Sequence, residues 1–176
     1  MMNKLRAGGA LPPKPTFIQL MKGLVGGFLG IWVLSLLGLS TGVPWLMAPF
    51  GATCVLLFAA PTSPLAQPRN VILGHLITST VGLIALHALG DSIIVMSLAV
   101  GVSIMLMQYF RAVHPPAGAN PVVIILAGQS LVGFDYLITP VLLGSTMLVL
   151  IASVINNLGA QNSWPMYWYD IGRKKE

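Results

Sequence analysis

A stretch rich in proline and glycine carries the residues of this chain that are best placed to do chemistry. It runs Arg111-Ala-Val-His-Pro-Pro-Ala-Gly-Ala-Asn-Pro121 and lies between two apolar runs. Proline lacks an amide hydrogen and clashes one turn back, so a helix must stop and restart here. Pro115 and Pro116 suit the first turn of the new helix. A helix that starts inside an apolar protein presents amide hydrogens and the positive end of its dipole, which favour an anion.

A second stretch repeats this pattern earlier in the chain. Pro49-Phe-Gly-Ala-Thr-Cys-Val55 aligns with Pro116-Ala-Gly-Ala-Asn-Pro-Val122, and Val71-Ile-Leu-Gly74 aligns with Val141-Leu-Leu-Gly144. Each half of the chain therefore has a long span, a break, a short span that opens on proline and glycine, a loop and a long span. We predict two repeats, each of which contains one short broken helix.

The predicted substrate site lies between the amino ends of these two short helices. Thr53 and Asn120 hold matching places and either donate to the cargo or cap their helices. His114 and His75 are candidates to carry a proton, because imidazole titrates near neutral pH. A purely structural role fits each histidine equally well. The predicted substrate-binding residues are Gly51, Ala52, Thr53, His114, Pro115, Pro116, Gly118, Ala119 and Asn120.

Four polar residues are predicted to line a mouth that attracts anions. Gln67, Arg69 and Asn70 lie in the loop after the first short span, and Arg111 precedes the second. Two arginines at the mouth would raise the local positive potential. The alternative is that both arginines only mark the membrane topology.

Composition indicates an integral membrane protein. The 176 residues are 56% hydrophobic and 7% charged, with a mean hydropathy of +0.86, whereas soluble domains have about 25% charged residues. The net charge of +5 comes from residues at the chain ends and in two loops, so it does not indicate nucleic-acid binding. The single cysteine, Cys54, lies in an apolar run and supports neither a disulfide framework nor a metal site, and no cofactor is expected.

The charges predict six crossings, with both termini in the cytoplasm. Lys4–Lys22, Arg69, Arg111 and Arg173–Lys175 then fall on one side, and Asp91 and Asp135 on the other. Four crossings with two re-entrant hairpins is the alternative. The predicted segments are 1–16 in the cytoplasm, 17–89 and 90–159 as the two membrane repeats, and 160–176 as an interfacial or cytoplasmic tail. The predicted spans are Phe17–Leu39, Leu46–Ala60, Asn70–Leu89, Ser92–Phe110, Pro116–Val132 and Leu137–Leu158.

Three crossings in each half make the two repeats inverted, which is a recurring plan of small-solute transporters. As a helix, Pro49–Ala60 would cover roughly 18 Å of a hydrocarbon core about 30 Å thick. Val43–Ala48 must then reach inward as non-helical chain. The predicted spans contain no aspartate or glutamate, and a cation carrier normally keeps a carboxylate in the membrane. We therefore expect the cargo to be a small anion or a small polar neutral molecule.

At these residues the chain resembles the HPP family of integral membrane proteins, named for the triplet that is here His114-Pro115-Pro116. The resemblance also covers Pro49–Phe58 and Gln67-Pro-Arg-Asn70, and it extends over roughly 44–158. It implies transport of nitrite, with nitrate as a second candidate cargo, and a bacterial inner membrane as the location. The resemblance also implies four spans, whereas the charges favour six.

Three other functions are alternatives to anion transport. Ala119-Asn120-Pro121 is similar to the half-helix ends of aquaporins, which suggests a channel for small neutral solutes, but Thr53-Cys54 stands at the matching place. An enzyme is not expected, since the sequence offers no nucleophile or metal constellation. A helper subunit of a larger complex, with the short helices serving only to pack, stays open. The sequence also leaves a homo-oligomer open.

Overall fold

Six α-helices and short connecting turns make up the described part of the computed structural model, which covers residues 11–130, 132–159 and 163–168. Lys4, Arg6 and Arg173–Lys175, on which the predicted topology partly depends, lie outside these residues. So do most of the predicted 1–16 segment and most of the 160–176 tail. The helices are α1 (Phe17–Thr41), α2 (Pro49–Ala59), α3 (Pro68–Leu89), α4 (Ile93–Tyr109), α5 (Asn120–Ala127) and α6 (Leu143–Asn157).

Three of the helical segments are long and apolar enough to cross a membrane, and three are shorter. The long ones are Phe17–Thr41, Pro68–Leu89 and Phe134–Asn157; the shorter ones are Pro49–Ala59, Ile93–Tyr109 and Pro115–Ala127. Few residues of α1 are buried, and large apolar side chains such as Phe17, Leu24 and Phe28 are exposed. Large apolar side chains that face outward suit a lipid solvent.

Hydrogen bonds between distant segments define two ends of the bundle. At the end that we call the arginine end, Arg69 donates to the Phe110 carbonyl oxygen at 2.8 Å. Lys22 donates to the Asn156 carbonyl oxygen at the same end of the bundle, and Asn156 in turn donates to that of Leu57. The start of α1 and the end of α2 therefore lie together.

The opposite end, which we call the aspartate end, contains the loops of Asp91 and Asp135. Gln129 donates to the Leu86 carbonyl oxygen at 2.7 Å, and His87 contacts that of Val132 at 3.1 Å. These bonds bring the residues that follow α5 to the carboxyl end of α3. Residues 111–130 thus run from the arginine end to the aspartate end.

The two short helices each follow a non-helical segment. Residues 42–48 are non-helical and lead back from the end of α1 to α2. This agrees with the prediction that Val43–Ala48 reaches inward. The chain from 112 to 114 is also non-helical, and Pro115–Ala119 forms a 3₁₀ turn that continues into α5. Irregular backbone at this depth is tolerated where protein or a cavity covers it.

The last two predicted spans differ in the structure. The fifth ends at Ala127 rather than Val132, because Gly128 adopts a left-handed φ of 81°. The sixth is interrupted at Thr139, whose extended backbone precedes Pro140. A proline disfavours the helical region for the residue before it. A 3₁₀ turn (Phe134–Leu137) and one irregular turn (Ile138–Leu142) therefore precede α6.

Two glycines permit close approach of backbone between the halves of the chain. A Cβ atom added at Gly74 would lie 3.1 Å from the Ala112 carbonyl oxygen, and one added at Gly144 would lie 2.8 Å from that of Trp45. Aligned stretches thus make equivalent contacts: each glycine meets the residue that lies four positions before the opening proline of the other half's short helix. Helix pairing is similar, since α2 packs on α1 and α6 while α5 packs on α4 and α3.

Candidate functional site

A groove of about 640 Å³ lies between the starts of the two short helices. It is open on one side, and its walls are apolar. Four predicted substrate-binding residues line it, and Gly51 and Gly118 are chain neighbours of the wall. The lining residues are Ala48, Pro49, Ala52, Val55, Leu56, Pro115, Pro116, Ala119 and Val123.

The first amide groups of both helices are already hydrogen-bonded. The Phe50 and Gly51 amides donate to the carbonyl oxygens of Met47 and Ala48, at 3.0 and 3.2 Å. The Ala117 amide donates to the His114 carbonyl oxygen at 3.0 Å. We expected free amides, but tight turns before each helix occupy them. The helix dipoles still place partial positive charge at this point.

Thr53, His75 and His114 meet directly behind the first turn of α2. The Thr53 hydroxyl oxygen lies 2.8 Å from His75 Nε2 and 3.0 Å from His114 Nε2. The two imidazole rings meet edge to face at an interplanar angle of 65°, with centroids 5.0 Å apart. All three side chains are fully buried. The structure therefore brings together three of the predicted site residues, which come from α2, from α3 and from the segment before the 3₁₀ turn.

Asn120 joins this cluster from the start of α5. Its side-chain nitrogen lies 3.0 Å from His75 Nδ1 and 2.8 Å from the Ser79 hydroxyl oxygen. His75 thus contacts Thr53 through one ring nitrogen and Asn120 through the other. The repeat alignment paired Thr53 with Asn120, and the fold joins them through a single imidazole.

Toward the arginine end of the bundle, the hydrogen bonds of the cluster end at a backbone carbonyl group. His114 Nδ1 lies 2.8 Å from the Leu65 carbonyl oxygen, in the loop between α2 and α3. We define the polar cluster as Thr53, His75, Ser79, His114 and Asn120. It extends from this loop to the middle of α3. None of its nitrogen or oxygen atoms is among the buried polar atoms that lack a hydrogen-bond partner.

Three of the predicted mouth residues have hydrogen bonds to backbone carbonyl oxygens. Gln67 is fully buried and donates to the carbonyl oxygens of Pro61 and Ser63. Asn70 donates to the Val113 carbonyl oxygen at 2.9 Å. Arg69 is bonded to Phe110, as described above, and Arg111 is exposed with a φ of 53°. Both arginines do lie at one end of the bundle.

Residues 163–168, which we call the strap, cross the loop before α3. Trp164 Nε1 donates to the Pro61 carbonyl oxygen, and the Met166 amide donates to the Gln67 side chain. The Tyr167 hydroxyl donates at 2.9 Å to the Pro64 carbonyl oxygen and lies 3.0 Å from the Asn70 side-chain oxygen. Burial raises the pKa of Tyr167, whereas the positive charges of Arg69 and Arg111 act to lower it. The strap thus lies over the loop that contains Leu65.

Sequence reasoning missed Ser79, the Leu65 carbonyl and the strap. Ser79 follows His75 by four residues, so helical spacing puts both on one face, and that signal was available. A backbone carbonyl has no sequence signature. Among the described residues, no group of three or more histidine, cysteine, aspartate or glutamate side chains is placed to hold a metal ion.

Comparison with known proteins gives one family and two relatives. Residues 12–165 match the family described as HPP, transmembrane region. One transmembrane protein of Dictyostelium discoideum is 36% identical over 167 residues, which cover 90% of this chain and 59% of the relative. Another transmembrane protein from the same organism is 35% identical over 175 residues, which cover 94% of this chain and 56% of the relative. The chain thus spans somewhat more than half the length of these relatives. No solved structure matches.

Proposed function

Because this chain belongs to the HPP family of integral membrane proteins, we propose that it transports a small inorganic anion, with nitrite as the first candidate. The observation that carries the proposal is the meeting of two oppositely running short helices at one open groove, with the polar cluster behind it. Opposed half-helices near the centre of a bundle are a recurring way to build an ion site in transporters. Nitrite itself comes from the family resemblance.

We propose further that the two halves are inverted repeats related by a pseudo-two-fold axis. A two-fold operation exchanges contacts, so that residue i meets j and j meets i. The contacts of Gly74 with Ala112 and of Gly144 with Trp45 have this form. An axis of this kind would pass close to the polar cluster, where Thr53 and Asn120 both reach His75.

The proposed topology has six crossings, in which each short helix and its non-helical lead-in form one crossing. The arginine end would face the cytoplasm of a bacterial inner membrane, together with both termini. The contacts that assign the helix ends to two opposite levels support this arrangement.

Filling the groove tests the proposal. Ala52→Leu and Ala119→Leu each place a larger side chain in the groove. In proteoliposomes that contain the purified protein, each variant should lower nitrite uptake roughly tenfold or more, which corresponds to a free-energy change of about 1.4 kcal/mol. Gly101→Leu is the matched control: Gly101 is exposed on α4, and an added Cβ would meet no atom within 4 Å. Uptake that is unchanged in both alanine variants would contradict transport through the groove.

A second function is favoured by the apolar lining of the groove. Walls of alanine, proline, valine and leucine suit a small neutral solute better than a hydrated anion. Light-scattering measurements of water and glycerol permeation on the same vesicles distinguish the two. Permeation of a neutral solute without nitrite uptake would favour the channel, and absence of both would favour a helper subunit.

A further inference from the structure

The proton positions in the polar cluster follow from its hydrogen-bond partners. The Leu65 carbonyl oxygen can only accept, so His114 Nδ1, at 2.8 Å, carries a hydrogen. In a neutral imidazole the other nitrogen is then an acceptor. His114 Nε2 must therefore receive its hydrogen bond from Thr53, at 3.0 Å.

This assignment continues through Thr53 to His75 and Asn120. Thr53 has one hydroxyl hydrogen, which is used on His114, so Thr53 accepts from His75 Nε2 at 2.8 Å. His75 Nδ1 is then the acceptor and receives a hydrogen from the Asn120 amide at 3.0 Å. The neutral cluster is thus a chain of hydrogen bonds with one direction, from Asn120 to Leu65.

One added proton can enter this chain without the loss of a hydrogen bond. If it binds His114 Nε2, both histidines donate to the Thr53 oxygen, which has two lone pairs. The Thr53 hydrogen then turns to the Pro49 carbonyl oxygen, 3.3 Å away. Pro49 also lines the groove, so the change in the cluster reaches the groove wall.

A second proton is disfavoured, because two imidazolium rings would lie with centroids 5.0 Å apart. The nearby titratable groups do not offset this charge. Cys54 of α2 lies against Gly30 of α1 and brings no negative charge, since burial raises the cost of its ionised form. Arg69, Arg111 and Tyr167 lie at the arginine end, where the two arginines add positive charge.

Within the described residues, the remaining elements around the cluster supply no compensating carboxylate. The described carboxylates are Asp91 and Asp135, in loops at the aspartate end, and neither α5 nor α6 contains a charged residue. A buried imidazolium is costly unless an opposite charge accompanies it. The natural counter-charge is the transported anion.

We propose that the His75–Thr53–His114 group takes up one proton with each anion, so that the protein is a proton–anion symporter. The proton passes from water to His114 Nε2 on one side and returns to water on the other side, and the anion moves with it. This inference rests on the proposed anion transport and specifies its coupling.

Proton uptake and the driving force of transport test the coupling. Addition of sodium nitrite to the purified protein in weakly buffered detergent should cause uptake of one proton for each nitrite bound, measured with a pH indicator and by calorimetry. In proteoliposomes, a pH gradient that is acidic outside should drive nitrite inward, while membrane potential alone should not. Vesicles without protein give the background, since nitrous acid crosses lipid unaided.

The variants target the hydroxyl that joins the two rings. Thr53→Val should abolish nitrite-dependent proton uptake, and Thr53→Ser, which keeps the hydroxyl, should retain it. Thr80→Val is the matched control, because Thr80 is a half-buried threonine of α3 whose hydroxyl donates to the Leu76 carbonyl oxygen. Full coupling in Thr53→Val, or its loss in Thr80→Val alone, would overturn the assignment to Thr53.

If Thr53→Val does not fold, the coupling can still be tested by a measurement that leaves the cluster residues unchanged. His87→Gln leaves His75 and His114 as the two histidines of the chain. Nitrogen NMR of its ring nitrogens should show hydrogen on His114 Nδ1, and one net protonation of the pair when nitrite is added. Nitrite uptake driven by potential, without proton uptake, would overturn the coupling but leave anion transport standing. No nitrite binding or flux at all would overturn both.

Discussion

His75 holds the two halves of the chain together at the level of single side chains. Its ring nitrogens contact Thr53 at 2.8 Å and Asn120 at 3.0 Å, and the start of each short helix is thereby fixed to α3. Phe50 packs edge-on against the same ring, with centroids 5.1 Å apart. Buried polar networks whose members are all bonded specify one arrangement of the surrounding helices.

Gln67 shows how a predicted mouth residue can instead fasten the fold. Its amide nitrogen donates to two carbonyl oxygens of the preceding loop, and its oxygen accepts from the Met166 amide of the strap. The residue is fully buried. Its contacts thus join the loop that contains Leu65 to the strap, rather than facing an open mouth.

Replacement of this glutamine separates the two roles. Gln67→Leu should destabilise the protein by about 2 kcal/mol or more, since each buried group left without a partner costs about 1–3 kcal/mol. Thermal unfolding in detergent measures this, with the exposed Gln108→Leu of α4 as control. Unchanged unfolding together with weaker nitrite uptake would instead favour the mouth role that the sequence suggested.

At the scale of helices, the close approach of α3 and α6 to the non-helical segments positions the site. Gly74 lies against Ala112 and His114, and Gly144 lies against Trp45 and Phe50. Both approaches involve a backbone carbonyl, which cannot move aside as a flexible side chain can. The two glycines therefore set where each short helix starts.

Alanine at either glycine should disturb this arrangement. Gly74→Ala and Gly144→Ala should each destabilise the protein by about 1–3 kcal/mol, because an extra carbon forces backbone shifts in a packed interior. Gly101→Ala, which adds a carbon to open space on α4, should be neutral or slightly stabilising. Thermal unfolding checks all three, and equal stability of the three variants would contradict the tight packing at Gly74 and Gly144.

In the molecule as a whole, each short helix follows a non-helical segment, and the two together form one continuous length of chain through the bundle. Residues 42–48 lead from the end of α1 to α2, which ends near Lys22 and Asn156 at the arginine end. The 11 residues of α2 rise about 16 Å, so they cover roughly half of a hydrocarbon core about 30 Å thick. A helix together with its lead-in can therefore make one crossing.

Cysteine labelling tests the six crossings. In a Cys54→Ala background, single cysteines at Lys14 and Pro64 should react with an impermeant maleimide from one side of the membrane. Cysteines at Val43 and Asp91 should react from the other side. All four positions are exposed. Reaction at Pro64 from the same side as Val43 would show that α2 turns back, and would favour the arrangement of four crossings and two hairpins.

The sequence by itself determined the class of the protein and the positions of its breaks. A chain with 7% charged residues cannot remain a soluble domain, and prolines at 49, 115 and 116 require helices to restart there. The starts of five of the six helices were predicted within a few residues. The exception in detail was the last segment, where Pro140 and its extended neighbour Thr139 delay α6 to Leu143.

Only the tertiary structure decided which polar groups meet. Thr53 and His75 are 22 residues apart in the chain, and Thr53 and His114 are 61 apart; no local pattern encodes such pairings. The tertiary structure also decided that the amides at the helix starts donate to neighbouring carbonyl oxygens, and that the strap lies over the Leu65 loop. Local sequence sets where a helix can begin, whereas packing of distant segments sets what its first turn faces.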